Sequence, residues 1–219
     1  MVMTIKNQEM IYAILKKELT NYRIPLAEQI NVKSNDPFFV LVGALLSART
    51  KDETTARVCD ALFKEVKSLK DLRGISQSRL EELVHSVGFY KTKARHLKEL
   101  AELVLSYNDR IPDSIDELVK LPGVGRKTAN LVVSVAFNKP AICVDTHVHR
   151  ITNRIGLVKT KTPYETEMRL RLILKESYWQ DTNYLFVILG QNICTPISPY
   201  CSKCYINRYC ERNNVTKSR

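Results

Sequence analysis

The sequence predicts an all-α protein. Apolar residues recur three and four positions apart along most of the chain, and this spacing places side chains on one face of a helix. Alternation of apolar and polar residues, which is typical of half-buried strands, is nearly absent. Only 7 glycines and 8 prolines occur in 219 residues, and most lie at joints between the expected helices, such as residues 111–113 and 121–125. The length accommodates one large domain or two small ones.

The expected helices follow from apolar spacing and from capping signals. Apolar residues at 11, 14 and 15 predict the first helix. Asp36 and Pro37 form an N-cap and a first-turn proline ahead of an apolar run to Ala48, which predicts a buried helix. Further helices are expected around residues 58–66, 80–87 and 97–104, and over residues 114–121, 127–137, 146–155, 163–176 and 184–190.

Hydrophobic residues make up 44% of the chain and charged residues 26%, a composition typical of soluble globular proteins. The longest uncharged apolar run, residues 37–48, is shorter than the roughly 18 to 20 residues that a membrane span requires. The first residues, MVMTIKNQEM, lack the basic and apolar segments of a signal peptide. We therefore expect a cytoplasmic protein that is not inserted in a membrane.

The chain is basic. It contains 34 Lys and Arg against 23 Asp and Glu, which gives a formal net charge of +11. The positive charges are spread along the chain rather than gathered in a tail, so a folded basic surface is expected. Such a surface favours a polyanionic partner, although a basic protein without one has the same composition.

Four of the six cysteines form a cluster near the end of the chain, with the spacing C-x6-C-x2-C-x5-C: Cys194, Cys201, Cys204 and Cys210. In a cytosolic protein this clustering favours a metal site over disulfides. Structural zinc usually uses paired short knuckles, whereas one CxxC with longer flanking gaps can surround a [4Fe-4S] cluster. The spacing therefore favours iron-sulfur and leaves zinc as the alternative. Cys59 and Cys143 lie in apolar surroundings and are expected in the core.

A glycine-containing turn, Leu121-Pro122-Gly123-Val124-Gly125, precedes a helix that begins with Arg126, Lys127 and Thr128. Both glycines are expected to allow positive φ and an uncovered backbone. Amides at the start of the next helix would then be available to a phosphate group. A plain turn between two helices is the alternative. The segment lacks the glycine before the lysine of a P-loop and the third glycine of a dinucleotide fingerprint.

A second motif, Val144-Asp145-Thr146-His147-Val148-His149-Arg150, stands at the start of an expected helix. Asp145 is predicted to be the N-cap, a position that is compatible with a catalytic carboxylate because both need an exposed helix start. The two histidines are two positions apart, so their side chains are expected to point apart on a helix, which argues against a shared metal.

Taken together, these motifs and LLSARTKD at residues 45–52 resemble endonuclease III, of the helix-hairpin-helix DNA glycosylases. The similarity extends over nearly the whole chain. It implies a helical barrel at residues 29–139 that contains the hairpin, and a discontinuous domain of residues 1–28 plus 140–219 that holds the cysteine cluster. It also implies that DNA binds in a cleft between the two domains.

The resemblance implies removal of oxidised or damaged pyrimidines, followed by strand cleavage on the 3′ side through a lysine Schiff base. Lys127 is the implied nucleophile and Asp145 the catalytic aspartate, with Ser47, Asp52 and His147 as candidates for the base pocket. The implied DNA contacts come from Arg49, Gly123, Val124, Gly125, Arg126 and Thr128. The implied cofactor is a [4Fe-4S] cluster on Cys194, Cys201, Cys204 and Cys210. The expected partner is double-stranded DNA with damaged pyrimidines or abasic sites, bound by a monomer in the nucleoid.

The sequence departs from the family pattern at two places. Arg49 stands where glutamine is frequent, and residues 195–200 form a loop without the usual basic residues. Two alternative functions are a monofunctional glycosylase for mismatched thymine or adenine and a non-catalytic DNA-binding module. The presence of Lys127 argues against the first, and Lys127 together with Asp145 argues against the second.

Overall fold

The computed structural model describes residues 4–107 and 109–219. Within them the regular secondary structure is helical and contains no β-strand, so the predicted all-α class is confirmed. The chain divides into two compact units. The central unit comprises Leu26–Lys139, and the terminal unit comprises Met1–Pro25 together with Pro140–Arg219. No helix in the described part of the chain is long and apolar enough to cross a membrane.

The α-helices are α1 Ile5–Glu18, α2 Leu26–Ser34, α3 Pro37–Ser47, α4 Asp52–Glu65, α5 Leu69–Gly74, α6 Gln77–Val84, α7 Tyr90–Tyr107, α8 Ile115–Leu118, α9 Arg126–Val135, α10 Thr146–Arg154, α11 Pro163–Ile173 and α12 Trp179–Asn192. Short 3-10 turns occur at Glu176–Tyr178, Cys201–Lys203 and Asn207–Tyr209.

The central unit is built around α3, which contacts α2, α4, α7 and α9. As predicted, Asp36 caps this helix by accepting a hydrogen bond from the Phe38 amide at 2.8 Å, and Pro37 occupies the first turn. Val40, Leu41 and Leu46 are completely buried. Helix α3 therefore forms the apolar centre of the unit. Each of its fully buried aliphatic side chains stabilises the fold by about 1.5 to 3 kcal/mol.

The terminal unit brings the first helix against the last ones. Tyr12 of α1 is buried, and its hydroxyl lies 2.6 Å from Oγ1 of Thr182 in α12. The Tyr12 ring stacks on Tyr178 with ring centres 4.4 Å apart, and it also contacts Phe186 at 5.8 Å. Helix α10 packs against α11 and α12. The discontinuous unit is thus held together by contacts between segments distant in sequence.

The expected helices omit α2 and α5, and α7 begins at Tyr90, well before the expected residue 97. The expected bounds are also wrong within residues 163–190. Helix α11 ends at Ile173 instead of residue 176, and α12 begins at Trp179 instead of residue 184. Leu174 takes an extended conformation and is buried, and its carbonyl accepts a hydrogen bond from Nε1 of Trp179 at 3.3 Å. Burial of this leucine therefore ends α11, a tertiary effect that apolar periodicity does not contain.

Candidate functional site

The hairpin between α8 and α9 has one glycine in a conformation that other residues avoid. Gly123 has φ of +77°, and a Cβ at this position would lie 2.7 Å from Nδ1 of His96. Gly125 has φ of −86° and ψ of 169°, so the expectation of positive φ at both glycines is wrong for this one. Gly125 is instead the N-cap of α9, a position at which extended backbone is the rule.

The start of α9 carries the predicted catalytic lysine. Arg126 and Lys127 are its first two residues and are exposed, and Thr128 is half-buried. Since Gly125 has no side chain to cap the helix, the first amides of α9 have no side-chain acceptor from the cap residue. The helix start combines partially positive amides with two cationic side chains, which suits a phosphate. Val124 is buried, and its amide donates to the Leu121 carbonyl at 3.0 Å, which closes the turn.

The turn between α3 and α4 presents Arg49. This residue is exposed and has φ of +54°, in the left-handed region that residues other than glycine seldom adopt. Its guanidinium lies over the ring of Phe89, 5.4 Å from the ring centre. Phe89 itself has φ of +58° and is 63% exposed, so two strained turns present their side chains together. No role was predicted for Phe89 from the sequence, although Gly88 directly before it is a signal for a turn.

Ser47 and Asp52 flank this turn. Ser47 is the last residue of α3, where its hydroxyl donates to the Ala44 carbonyl at 2.9 Å, and Asp52 is the first residue of α4. Both are half-buried. A carboxyl group that lies deeper, that of Glu28 in α2, has a buried Oε2 that accepts no hydrogen bond from the described residues. Burial, and to a smaller extent the charge of Asp52, raises the pKa of Glu28 to about 7. No role for Glu28 was predicted from the sequence.

Lys93, like Phe89 and Glu28, was given no role on the basis of the sequence. It lies on α7 and is only 8% exposed, and its ammonium donates to the carbonyls of Leu46 and Ala48 and to Oγ1 of Thr50. Burial lowers the pKa of Lys93 to about 8, which leaves the side chain mostly protonated at neutral pH. A signal was present, because Lys93 falls on the same helical face as Leu97 and Leu100.

In the terminal unit, Asp145 caps α10 as predicted. Its Oδ1 accepts hydrogen bonds from the amides of His147 at 2.9 Å and Val148 at 2.8 Å. Both bonds end on the same oxygen, so Oδ2 takes no part in the cap. The side chain is half-buried. The cap fixes the direction of the carboxylate, and one oxygen remains for other chemistry.

The two histidines of this motif diverge, as their spacing predicted. Nδ1 of His147 lies 3.1 Å from a guanidinium nitrogen of Arg150, and its ring packs against Gly190 of α12, where no Cβ would fit. His149 instead contacts Oγ1 of Thr166 at 2.7 Å. His147 is therefore a base-pocket candidate with protein contacts of its own. It belongs to the terminal unit, whereas Ser47 and Asp52 belong to the central unit.

The four clustered cysteines lie together. Each is a half-buried free thiol, and all four line one cavity with apolar residues that include Ile151, Leu189 and Ile206. Burial raises the pKa of Cys204 to about 11, and the other three cysteines of the cluster add to the rise. Among the described residues, no three His, Cys, Asp or Glu side chains already stand in an arrangement that would hold a metal ion.

Arg154 ties the loop between the first two cysteines to α10. The guanidinium is buried and donates to Sγ of Cys194 at 3.4 Å, to the Thr195 carbonyl at 2.7 Å and to the Pro196 carbonyl at 2.6 Å. Because Asp145 is the N-cap of this same helix, one element supports both the predicted catalytic carboxylate and the cysteine loop. Arg219 packs against the same loop: its guanidinium lies over the ring of Tyr200, 3.9 Å from the ring centre.

Comparisons with known proteins identify relatives of the chain. Residues 42–176 match the model of the HhH-GPD superfamily base excision DNA repair protein family. Endonuclease III of Thermotoga maritima is 46% identical over 182 residues, which cover 83% of this chain and 85% of that protein. Endonuclease III of Bacillus subtilis is 39% identical over 188 residues, 85% of each chain.

Solved structures give the same result. A non-covalent endonuclease III–DNA complex superimposes with a TM-score of 0.81 at 32% identity, covering 95% of this chain and 97% of that one. A thermostable thymine-DNA glycosylase gives a TM-score of 0.82 at 26% identity, with 96% and 98% covered.

Proposed function

The chain belongs to the HhH-GPD superfamily of base excision DNA repair proteins and, within it, to the endonuclease III family, and we propose that Lys127 and Asp145 carry its catalysis. It is a bifunctional DNA glycosylase and AP lyase for damaged pyrimidines. The observation that carries the assignment is the position of Lys127 in the first turn of α9, directly after a turn whose backbone suits phosphate.

Lys127 acts as the nucleophile. After losing its proton, the amine attacks C1′ of the damaged nucleotide, and the bond from C1′ to the base breaks, with the electron pair leaving on the base. The nitrogen then loses a proton, and its electron pair forms the C1′=N bond as the C1′–O4′ bond breaks and O4′ takes up a proton, which opens the sugar ring. The resulting Schiff base carries a positive charge that acidifies the proton on C2′. Removal of this proton expels the 3′ phosphate by β-elimination, which cuts the strand.

Asp145 acts as proton acceptor and as an anion beside the positive charge that develops on the sugar. Its two hydrogen bonds from the start of α10 support this role, because they hold the carboxylate in one direction without using Oδ2. A preoriented carboxylate needs no reorganisation during the reaction, which is the source of most electrostatic catalysis.

The partner is DNA, and the substrate form that we propose is duplex with a damaged pyrimidine or an abasic site, acted on by a monomer. The hairpin residues Gly123, Val124, Gly125, Arg126 and Thr128 hold the backbone phosphate. Ser47, Asp52 and His147 contact the extruded base. Extrusion costs a few kcal/mol and costs least for a poorly stacked lesion, which contributes to selectivity. The DNA substrate and the bacterial relatives support a location with the nucleoid in the cytoplasm.

Arg49 takes the place left by the extruded nucleotide. It is exposed at the tip of its turn and can reach the orphaned base with five N–H donors in a fixed fork. The loop at residues 195–200 offers no basic side chain. Exposed Lys203, Arg208 and Arg212 nearby in sequence are therefore the proposed phosphate contacts in this region.

The four clustered cysteines fit a [4Fe-4S] cluster. Soft thiolates are its usual ligands, and here four of them share one apolar cavity while Arg154 supplies a hydrogen bond to Cys194. When bound, the cluster serves as a cross-link for a segment that has only short 3-10 turns, and the glycosylase and lyase steps do not pass through it. Zinc is the alternative that metal analysis decides.

Borohydride trapping tests the assignment of Lys127. Reduction of the Schiff base converts the transient adduct into a stable cross-link between enzyme and DNA. The Lys127→Gln variant is expected to give no cross-link and no strand cleavage, whereas Lys120→Gln, an exposed lysine three residues before Gly123, is expected to trap DNA normally. Wild-type trapping by Lys127→Gln would show that another amine is the nucleophile.

A further inference from the structure

The ammonium of Lys93 is buried in the central unit, beneath the turn that carries Arg49. The residue lies on α7 and is 8% exposed. A buried charge is costly unless hydrogen bonds replace the water that it has lost. The hydrogen bonds of this ammonium therefore matter, because an apolar residue at the same helix position could not donate them.

All three acceptors of the Lys93 ammonium lie at the end of α3 or just after it. The distances from Nζ are 2.7 Å to the Leu46 carbonyl, 2.6 Å to the Ala48 carbonyl and 3.2 Å to Oγ1 of Thr50. Carbonyls at the end of a helix lack intrahelical partners and carry partial negative charge. One cation thus satisfies the end of α3 and the following turn, on both sides of Arg49.

The turn needs this support because its geometry is strained. Arg49 has φ of +54°, and a non-glycine residue in this region persists only when its surroundings hold it there. Oγ1 of Thr50 also accepts a hydrogen bond from the Gly88 amide at 3.1 Å. Gly88 approaches the turn so closely that a Cβ there would lie 2.9 Å from the Arg49 carbonyl oxygen.

The same lysine is bonded to the second strained turn. Its backbone amide donates to the Phe89 carbonyl at 3.0 Å, and Phe89 is the residue over which the Arg49 guanidinium lies. We propose that Lys93 is a positioning residue for Arg49: its buried ammonium fixes residues 48–50 in the one conformation from which Arg49 reaches the orphaned base. This inference rests on the proposed gap-filling role of Arg49.

Lys98 provides a matched control on the same helix. Its ammonium donates to the carbonyls of Arg73 and Ile75, at the end of α5, and it is half-buried. Loss of Lys98 removes a lysine that caps a helix end, as loss of Lys93 does, but at a place without Arg49. A difference between the two variants therefore measures positioning rather than general loss of helix capping.

The experiment is a double-mutant cycle on single-turnover excision, with the lesion placed opposite each of the four bases. The proteins are wild type, Lys93→Met, Arg49→Ala, the double variant and Lys98→Met. Lys93→Met is expected to slow excision by roughly tenfold and to equalise the four opposite bases, since small displacements of a positioning group have effects of this size or larger. In the Arg49→Ala background, Lys93→Met is expected to change the rate by less than about twofold, because coupled residues are not additive.

Lys98→Met is expected to keep both the rate and the preference among opposite bases. Equal slowing by Lys93→Met in the two backgrounds would overturn the inference, as would a Lys93→Met enzyme that keeps the wild-type preference. If Lys93→Met does not fold, Lys93→Gln, which keeps an N–H donor without the charge, takes its place in the cycle.

Hydrogen exchange separates this inference from the proposed function. Lys93→Met is expected to accelerate amide exchange at residues 48–51 and at Gly88, whereas Lys98→Met leaves these amides unchanged. If Arg49→Ala excises every substrate at the wild-type rate, the gap-filling role of Arg49 is wrong. If exchange at residues 48–51 does not respond to Lys93→Met, the positioning role of Lys93 is wrong whatever Arg49 does.

Discussion

The guanidinium of Arg49 lies over the ring of Phe89, 5.4 Å from its centre, at the point where two turns of the central unit meet. Both residues have positive φ and both are exposed. An exposed cation–π contact contributes only about 0.5 to 1 kcal/mol. It therefore orients the Arg49 side chain but is weak enough to break when a stronger partner binds the guanidinium. Arg49 is therefore available to an orphaned base while its starting position is defined.

The identity of the opposite base is expected to affect the rate through Arg49. Guanine offers O6 and N7 as paired acceptors, whereas adenine offers a single major-groove acceptor beside a donor. Wild-type enzyme is expected to excise a lesion faster opposite guanine than opposite adenine in single-turnover assays. Arg49→Ala is expected to lose both rate and preference.

A suitable control is Arg95→Ala, which removes the same charge from an exposed position on α7. It is expected to keep the preference for guanine. Equal loss of rate opposite all four bases in Arg49→Ala, with the preference retained, would mean that Arg49 only neutralises phosphate.

The two hairpin glycines are expected to differ in their tolerance of a methyl group. Gly123→Ala places a Cβ 2.7 Å from His96 Nδ1 at φ of +77°, and it is expected to lower the free energy of unfolding by about 1 to 3 kcal/mol. Gly125→Ala meets open space at φ of −86°, so its cost should stay within a few tenths to about 1 kcal/mol. Urea denaturation of the two variants measures both values, and equal losses would contradict the difference in backbone conformation.

Glu28 is expected to make stability depend on pH. Its pKa is about 7 in the folded protein against 4.5 in the unfolded chain, so between these values only the folded state retains the proton. Stability therefore falls as pH rises from 4.5 to 7, and Glu28→Gln removes this loss. The variant is expected to be more stable than wild type by about 2 to 3 kcal/mol at pH 7.5 and to match it near pH 4.5.

Paired denaturation curves at the two pH values test this, because all other groups titrate alike in both proteins. Glu53→Gln, an exposed glutamate on α4, should reproduce the wild-type pH dependence. A Glu28→Gln protein whose advantage does not grow with pH would contradict the raised pKa.

The cysteine cavity is expected to determine the metal content. Purified protein should be yellow-brown with about four irons per chain, the stoichiometry of a [4Fe-4S] cluster on four thiolates. Cys204→Ala should lose iron and unfold at a lower temperature. Cys59→Ala, which alters a buried thiol of the central unit, should retain the full iron content. A colourless protein with one zinc per chain would decide for zinc.

Sequence reasoning succeeded where the determining contacts are local. The caps at Asp36 and Asp145 each involve residues two or three positions away, so their signals lie within one helical turn of sequence. The fold class and the family were also predictable, because apolar periodicity and four separate motifs agree. By contrast, the conformation of Gly125 was predicted wrongly, since a glycine serves a turn or an N-cap equally well and only the chain path decides.

The contacts that sequence reasoning missed join residues far apart in the chain. Lys93 reaches carbonyls 45 and 47 positions earlier, and its place on the apolar face of α7 indicates burial without indicating which carbonyls it meets. The raised pKa of Glu28 depends on burial by neighbouring helices, which composition does not report. The contacts of Lys93 and the pKa of Glu28 depend on tertiary packing, so they can be identified only from a structure.

The bond between Tyr12 and Thr182 has a consequence for synthesis on the ribosome, since 170 residues separate its two ends. At about 5 to 20 residues per second, Tyr12 leaves the ribosome roughly 10 to 30 seconds before its partner does. The whole of Leu26–Lys139 is translated during that delay, so the middle of the polypeptide can fold while the first helix still waits with an apolar face uncovered. During translation, the apolar face of the nascent α1 therefore lacks its native partner until α12 has been made.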